Sequence, residues 1–201
     1  MIWLNGIVDG TKIFGWYVLP AFALGTLSII MITKRINVVK TLLQGAFLFY
    51  LCCVAALVFL PLPTMEEAKE LVYQAELMPM HCIAEAIENP FHGTLVIVFN
   101  VLMTIPFGMF LSYYFKLDVK RVFLYGLALS ALIEFGQFSG LFFLFKGSYR
   151  LFEVDDLIMN TLGSMIGWML IQKTQRFLPE LEGLEIMIGR KKPVIAKRAN
   201  A

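Results

Sequence analysis

The chain has 201 residues, of which 59% are hydrophobic and only 16% charged, with a mean hydropathy of +0.74. Soluble domains run at about 45–50% apolar and about 25% charged, so a water-soluble globule is excluded first. A formal net charge of +2 is too small for a nucleic-acid surface, and no nucleic acid is expected as a partner. Cys52 and Cys53 sit in an apolar run and Cys82 stands alone, which gives neither a disulfide framework nor a CxxC metal pair. The composition is that of an integral membrane protein.

In chain order, the first uncharged run is residues 13–32. A helix needs about 20 apolar residues to cross a hydrocarbon core of about 30 Å, and this run has them. It is too long for the apolar core of a signal peptide, and neither a basic leader nor an A-x-A site accompanies it. It reads as a retained span. The second run is residues 41–65. The loop 64–92 opens on Thr64-x-x-Glu67, a capping box. Ala68, Leu71, Val72 and Ala75 come next at amphipathic helical spacing. Pro79 interrupts the pattern, and Ile83, Ala84 and Ile87 predict a second short helix before Asn89-Pro90. Both short helices are expected to lie on the outer surface, either as a plain cover for the bundle or as a lid.

The third run is residues 93–115, with Pro106-x-Gly108 inside it, and the fourth is 122–145, with Glu134 as its one ionisable residue. The fifth, 157–172, spans about 24 Å at 1.5 Å per residue, so Asp155 and Asp156 belong at the membrane edge. The runs show no apolar/polar alternation, which argues against a β-barrel. The expected fold is all-α: a polytopic membrane bundle of five transmembrane helices. Of the 17 Lys and Arg, 13 fall after the first, third and fifth runs; Lys12, Lys69, Lys146 and Arg150 fall on the other side. Basic residues mark the cytoplasmic face, which predicts an outside N-terminus and a cytoplasmic C-terminus. The organisation is then an N-terminal span with a basic loop (1–40), a four-helix core (41–172) that includes the outer loop, and a basic tail (173–201). Basic groups beside an anionic leaflet gain about 1 kcal/mol each, but the tail reads first as a low-order segment.

Glu134 needs an explanation. It lies 13 residues beyond Arg121, about 20 Å along a helix axis, in the outer half of the membrane. Charges at a helix centre cost about 2.5–3.5 kcal/mol on insertion scales and usually face a bundle interior. Ser130 and Gln137 share its helical face. In the fifth span Asp156, Asn160, Gly163 and Gly167 share another face, the glycines suiting close helix packing. Asn100 comes from the third span at similar depth, and Arg150 precedes Glu153, Asp155 and Asp156. Arg150 is expected to pair with Glu134, Asp155 or Asp156 in a charge-assisted contact. Asn100, Ser130, Glu134, Gln137, Arg150, Asp155, Asp156 and Asn160 thus form the candidate ligand-binding set. His81, Glu85 and His92 fall short of a metal site, and no P-loop, GxSxG, HExxH or GxGxxG is present. No cofactor or metal is expected.

Residues 100–167 resemble the VanZ-like family of bacterial membrane proteins. The resemblance rests on Asn100, Pro106-x-Gly108, Ser130-x3-Glu134-x2-Gln137, the stretch from Arg150 to Asp156, and Asn160, Gly163 and Gly167. Glu153 departs from the pattern, which more often has Asp there. The resemblance implies a multi-pass protein of a Gram-positive cytoplasmic membrane, with a link to tolerance of teicoplanin and other lipid-bearing glycopeptides. It implies no established reaction.

Two functions of different class fit these residues. The first is recognition of an amphipathic ligand by an outward-facing polar cavity. Its partners would be membrane lipids, lipid-linked cell-wall precursors or lipoglycopeptide antibiotics, with Arg150 attracting an anionic head. The second is an intramembrane enzyme on a lipid-linked substrate, with Glu134 as acid or base and Asp155 or Asp156 orienting water or a hard cation. A polar cluster that only keeps the helices in register is the structural alternative.

Overall fold

A computed structural model describes residues 2–148, 150–181 and 185–187. The basic tail residues Arg190, Lys191, Lys192, Lys197 and Arg198 lie outside the described residues. α1 (Ile2–Ile13), a π-helical turn (Phe14–Val18) and α2 (Leu19–Thr33) form one unbroken helix; β1 (Arg35–Asn37) and α3 (Val38–Phe59) come after it. Next are the single turn α4 (Glu67–Glu70), β2 (Ala75–Glu76), α5 (His81–Glu88) and α6 (Pro90–Tyr113). α7 (Val119–Phe138), the single turn α8 (Gly140–Phe143), β3 (Phe152–Glu153), α9 (Val154–Thr174) and β4 (Glu185–Met187) complete the order. Antiparallel β1–β4 ties the tail to the α2–α3 loop, and parallel β2–β3 ties together two loops at the opposite end, here the upper end.

The protein is mostly helical. Leu4–Thr33, Val38–Phe59 and Pro90–Tyr113 are long and apolar enough to cross a membrane. α7 and α9 have 20 and 21 residues but carry Lys120, Arg121 and Glu134, and Asp155, Asp156 and Lys173, which sets them apart by composition. Burial is inverted relative to a soluble protein. The largest fully buried side chains are Glu134, Val122, Asn160, Thr104, Ser130, Ser139 and Ser164, whereas Ile32, Trp16 and Tyr17 are 82%, 79% and 75% exposed. An apolar surface of that extent requires an apolar surround, while the polar groups that lipid cannot satisfy lie within the bundle. This is a multi-pass membrane protein.

Four helix limits differ from those expected, each for a local reason. The first helix starts at Ile2, not near 13, because Asp9 and Lys12 pair at 2.9 Å one turn apart. α3 stops at Phe59 instead of 65: Pro61 and Pro63 can supply no amide to a further turn. α7 stops at Phe138 instead of 145. Ser139 caps the turn after it, accepting from the Phe142 amide at 3.1 Å, and Gly140 turns the chain at φ +64° where a Cβ would strike the Phe145 and Gly147 carbonyls. The capping box forms, with the Thr64 amide 2.7 Å from Glu67 Oε2, but its helix lasts one turn and turns extended at Leu71. Pairing of 75–76 with 152–153 overrides the amphipathic pattern there, as tertiary contacts override propensity. α5 forms as expected.

Glycines decide which helices touch. A Cβ on Gly163 would collide with Val101 O and Thr104 Oγ1, one on Gly167 with Ile105 O, and one on Gly108 with Ser164 O. Backbone therefore meets backbone between α6 and α9, the means by which membrane helices associate without a hydrophobic drive. α7 joins through Gly126, which faces Ser164. On the other side, Gly6 and Gly10 let α1 lie against Leu57 and Cys53 of α3. α3 meets α6 and α7 through Tyr50 Oη, which donates to Met103 O at 2.7 Å, and a small core of Val54, Val58 and Ile133.

Candidate functional site

The glycine-set approach of α6, α7 and α9 brings five of the eight expected residues together near the upper end. Asn100 of α6 donates through Nδ2 to Asp156 Oδ1 of α9. Ser130 of α7 donates to the Asp156 carbonyl at 3.2 Å and accepts from Asn160 Nδ2 at 3.0 Å. Glu134, one turn above Ser130, accepts from the Glu153 amide at 3.2 Å. Its carboxyl group lies within hydrogen-bonding reach of the Asp156 carboxyl. Helical spacing accounts for the arrangement: Ser130 and Glu134, and Asp156 and Asn160, are i, i+4 pairs on facing helices.

The donor count in this cluster is short. Glu134 and Asn160 are each 1% exposed, yet Glu134 Oε1 and Asn160 Oδ1 have no hydrogen-bond partner. Buried polar atoms are nearly always satisfied, and an unpaired one costs on the order of 1–3 kcal/mol. Asp156 and Asn100 are only half-buried and are the most exposed members of the cluster. Among the described residues no three His, Cys, Asp or Glu side chains gather to hold an ion.

The other three expected residues sit at helix ends. Gln137 Nε2 donates to Val58 O at 2.8 Å, tying α7 to α3. Asp155 accepts from the Met80 and Cys82 amides, both at 2.7 Å. It thereby caps α5, whose own N-cap residue, Met80, has no side chain able to do so. The Cys82 thiol beside it is pushed up to about 11, by burial first and then by Asp155, which favours the thiol over the thiolate. Arg150 corrects an expectation. Among the described residues no carboxylate lies within ion-pair distance of its guanidinium; Nη2 instead donates to the Leu60 and Leu57 carbonyls at 3.2 and 3.4 Å. Those carbonyls are orphans at the end of α3, where the helix dipole also favours a cation. Burial, then the nearby Glu85 carboxylate, pushes Glu153 above the usual carboxylate range.

Two cluster members escape the sequence reading. Thr104, fully buried, donates to the Asn100 and Val101 carbonyls, and Ser164, equally buried, donates to the Asn160 carbonyl at 3.2 Å. Each lies four residues below an expected site residue, so the helical period is the signal that finds them. His92 Nδ1 is 3.6 Å from Glu85 Oε1 on the surface. An apolar groove of about 340 Å³ runs between α7 and α9, lined by Phe123, Leu127, Leu157, Ile158 and Met165 among others. At 100° per residue these α9 positions lie on the face turned away from Asp156.

A comparison with protein families matches residues 47–176 to the family described as VanZ/LLP1. No curated protein and no solved structure matches the chain.

Proposed function

The chain belongs to the VanZ/LLP1 family, and on that premise we propose that it binds the polar head of an amphipathic ligand at the outer face of a Gram-positive cytoplasmic membrane. One observation carries the reading: five polar side chains from three helices converge in an apolar bundle and leave Glu134 Oε1 and Asn160 Oδ1 unpartnered. A cluster that served only to hold helices together would close its own hydrogen bonds. Lipid headgroups, lipid-linked cell-wall precursors and lipoglycopeptides are the ligand classes, the last connecting the site to teicoplanin tolerance. The proposed topology is five spans, N-terminus outside, with α7 and α9 as the fourth and fifth. It rests on the 13-to-4 partition of Lys and Arg and sets the cluster at the outer leaflet. Arg150, held by α3, is not the group that attracts the head.

The test is native mass spectrometry of the full chain extracted from its own membranes, with Glu134→Gln and Asn100→Ala compared at equal folded amounts. A lipid retained by wild type and lost from both variants is the expected result. Equal retention, together with unchanged drug tolerance in cells, rejects the reading and leaves a structural cluster.

A second reading, an intramembrane enzyme on a lipid-linked substrate, draws support from the facing carboxyls of Glu134 and Asp156. Acid–base catalysis uses such pairs when one holds a proton. Conversion of a lipid-linked substrate by wild type, abolished in Glu134→Gln, would select it over binding alone.

A further inference from the structure

We infer that the Glu134–Asp156 cluster is a site for a hard divalent cation, magnesium or calcium, which joins the two carboxylates to a phosphate oxygen of the bound head. The inference rests on the proposed ligand binding and adds the chemistry of the head.

The donor–acceptor count leads to it. Glu134 and Asp156 present carboxyl oxygens to one another, and neither has a Lys, Arg or His within ion-pair distance among the described residues. The protein donors present are spent: the Glu153 amide on Glu134 Oε2, an Asn100 amide hydrogen on Asp156 Oδ1, and the Ser130 hydroxyl on the Asp156 carbonyl. Two facing carboxylates repel one another unless a proton or a cation lies between them, and removal from water makes the repulsion worse. Arg150, the expected counter-charge, acts on Asp156 only from a distance, since its guanidinium is engaged at the end of α3. A second, neutral oxygen is equally orphaned: Asn160 Oδ1, on the residue that holds Ser130 and 1% exposed.

The cluster therefore lacks positive charge with affinity for oxygen. Two carboxylates and one amide carbonyl are donors of the kind that hard cations take. The absence of histidine and cysteine from the cluster argues against a softer metal. Two carboxylates neutralise one divalent ion, and magnesium in particular is held by one or two carboxylates together with phosphate oxygens. The half-buried Asp156 and Asn100 mark the side from which a ligand oxygen would complete the shell. The same ion removes an electrostatic conflict, since the acids alone would repel a phosphate-bearing head.

The experiment uses the full chain in detergent after EDTA treatment, with manganese as an electron-spin-resonance probe competed by magnesium and calcium. Wild type is expected to bind one manganese. Glu134→Gln and Asp156→Asn are expected to weaken it at least about tenfold to hundredfold, the scale on which even outer-shell groups act. Asn160→Asp, which keeps the oxygen and adds charge, should retain binding, and all variants are checked for an unchanged unfolding temperature. No manganese bound by wild type, or equal binding by folded Glu134→Gln, overturns the inference. A second arm adds vesicles of phosphatidylglycerol or of a neutral lipid doped with a polyprenyl pyrophosphate, with magnesium or with EDTA. Magnesium-dependent capture from one of them identifies the source of the phosphate. Capture that persists in EDTA sinks the cation while leaving ligand binding intact, and no capture in either condition sinks both.

Discussion

The two halves of the bundle are held by different means. α6, α7 and α9 meet backbone to backbone through Gly108, Gly126, Gly163 and Gly167, with serine, threonine and asparagine between them. The helix from α1 to α2 rests on α3 with none of its α2 residues buried, and its Gly15 and Gly25 face open space. Aromatic rings fill much of the rest, Phe47 stacking on Phe110 at 3.7 Å between centroids. Lipid tails are as apolar as leucine, so burying leucine gains little inside a membrane. Fixed geometry there comes from close backbone approach and from polar contacts. The half that carries the polar cluster has both; in the other half close backbone approach is confined to Gly6 and Gly10 of α1 against α3, and α2 has none.

The largest effect that would test this contrast comes from glycine. Gly108→Ala, Gly163→Ala and Gly167→Ala each place a methyl against a backbone carbonyl or a buried hydroxyl and should cost at least about 1–3 kcal/mol. Unfolding in mixed detergent measures it. Gly15→Ala and Gly25→Ala, with nothing within 4 Å, should be neutral; equal losses in both sets would erase the distinction between the halves.

Of comparable size, but confined to one element, is the effect of Asp155→Ala. It removes two hydrogen bonds to a charged acceptor, worth about 1.5–3 kcal/mol each where fully formed. The expected result is faster hydrogen exchange at the Met80 and Cys82 amides, with α6 and α9 protection unchanged. Loss of protection throughout would mean that α5 and the helical core are one cooperative unit.

Smaller still is Arg150→Gln. A cation at a helix end contributes about 0.3–1 kcal/mol, so α3 should fray near Leu57–Leu60 while the cluster is untouched. A complete loss of ligand binding in Arg150→Gln would restore the expected role of Arg150 at the head and contradict its position. Topology is sharpened separately on a cysteine-free background: Glu70→Cys and Lys146→Cys should label from outside in intact cells, and Lys120→Cys should not.

The smallest effect is at the surface. The Thr64 amide and hydroxyl hold the Glu67 carboxyl below the usual glutamate range. A lowered acid favours the folded turn above the ordinary value of 4.5 and loses that contribution as pH falls through its own lower value. Protection of the Ala68 and Lys69 amides, relative to their free exchange rate at each pH, should therefore fall on acidification, with no change in α6 or α9.

The cluster is legible in the sequence because helical spacing is enough to put Ser130 with Glu134 and Asp156 with Asn160 on single faces. Gly163 and Gly167 are legible for the same reason. Where each charge ends is not. Proximity in sequence assigns Arg150 to the nearest acids, but the Leu57 and Leu60 carbonyls that it holds lie some 90 residues earlier in the chain, and no local pattern links them. The turn 67–70 reads as a longer helix because its amphipathic spacing is real; the competing strand partner is Phe152, again distant in sequence. Apolar runs overstate the second and fourth helices because hydropathy does not register Pro61 or Gly140 as stops.

The cap on α5 has a consequence in time. The carboxylate that holds the Met80 amide stands 75 residues further along the chain. At a synthesis rate of about 5–20 residues per second, roughly 4–15 s separate the two. Throughout that interval the Met80 and Cys82 amides lack their acceptor, although α6 is already there for α5 to pack on, and the chain must deliver its last long helix before the start of α5 can close. Assembly of the upper end is thereby timed by α9, and a stall in translation before Asp155 would leave the start of α5 uncapped.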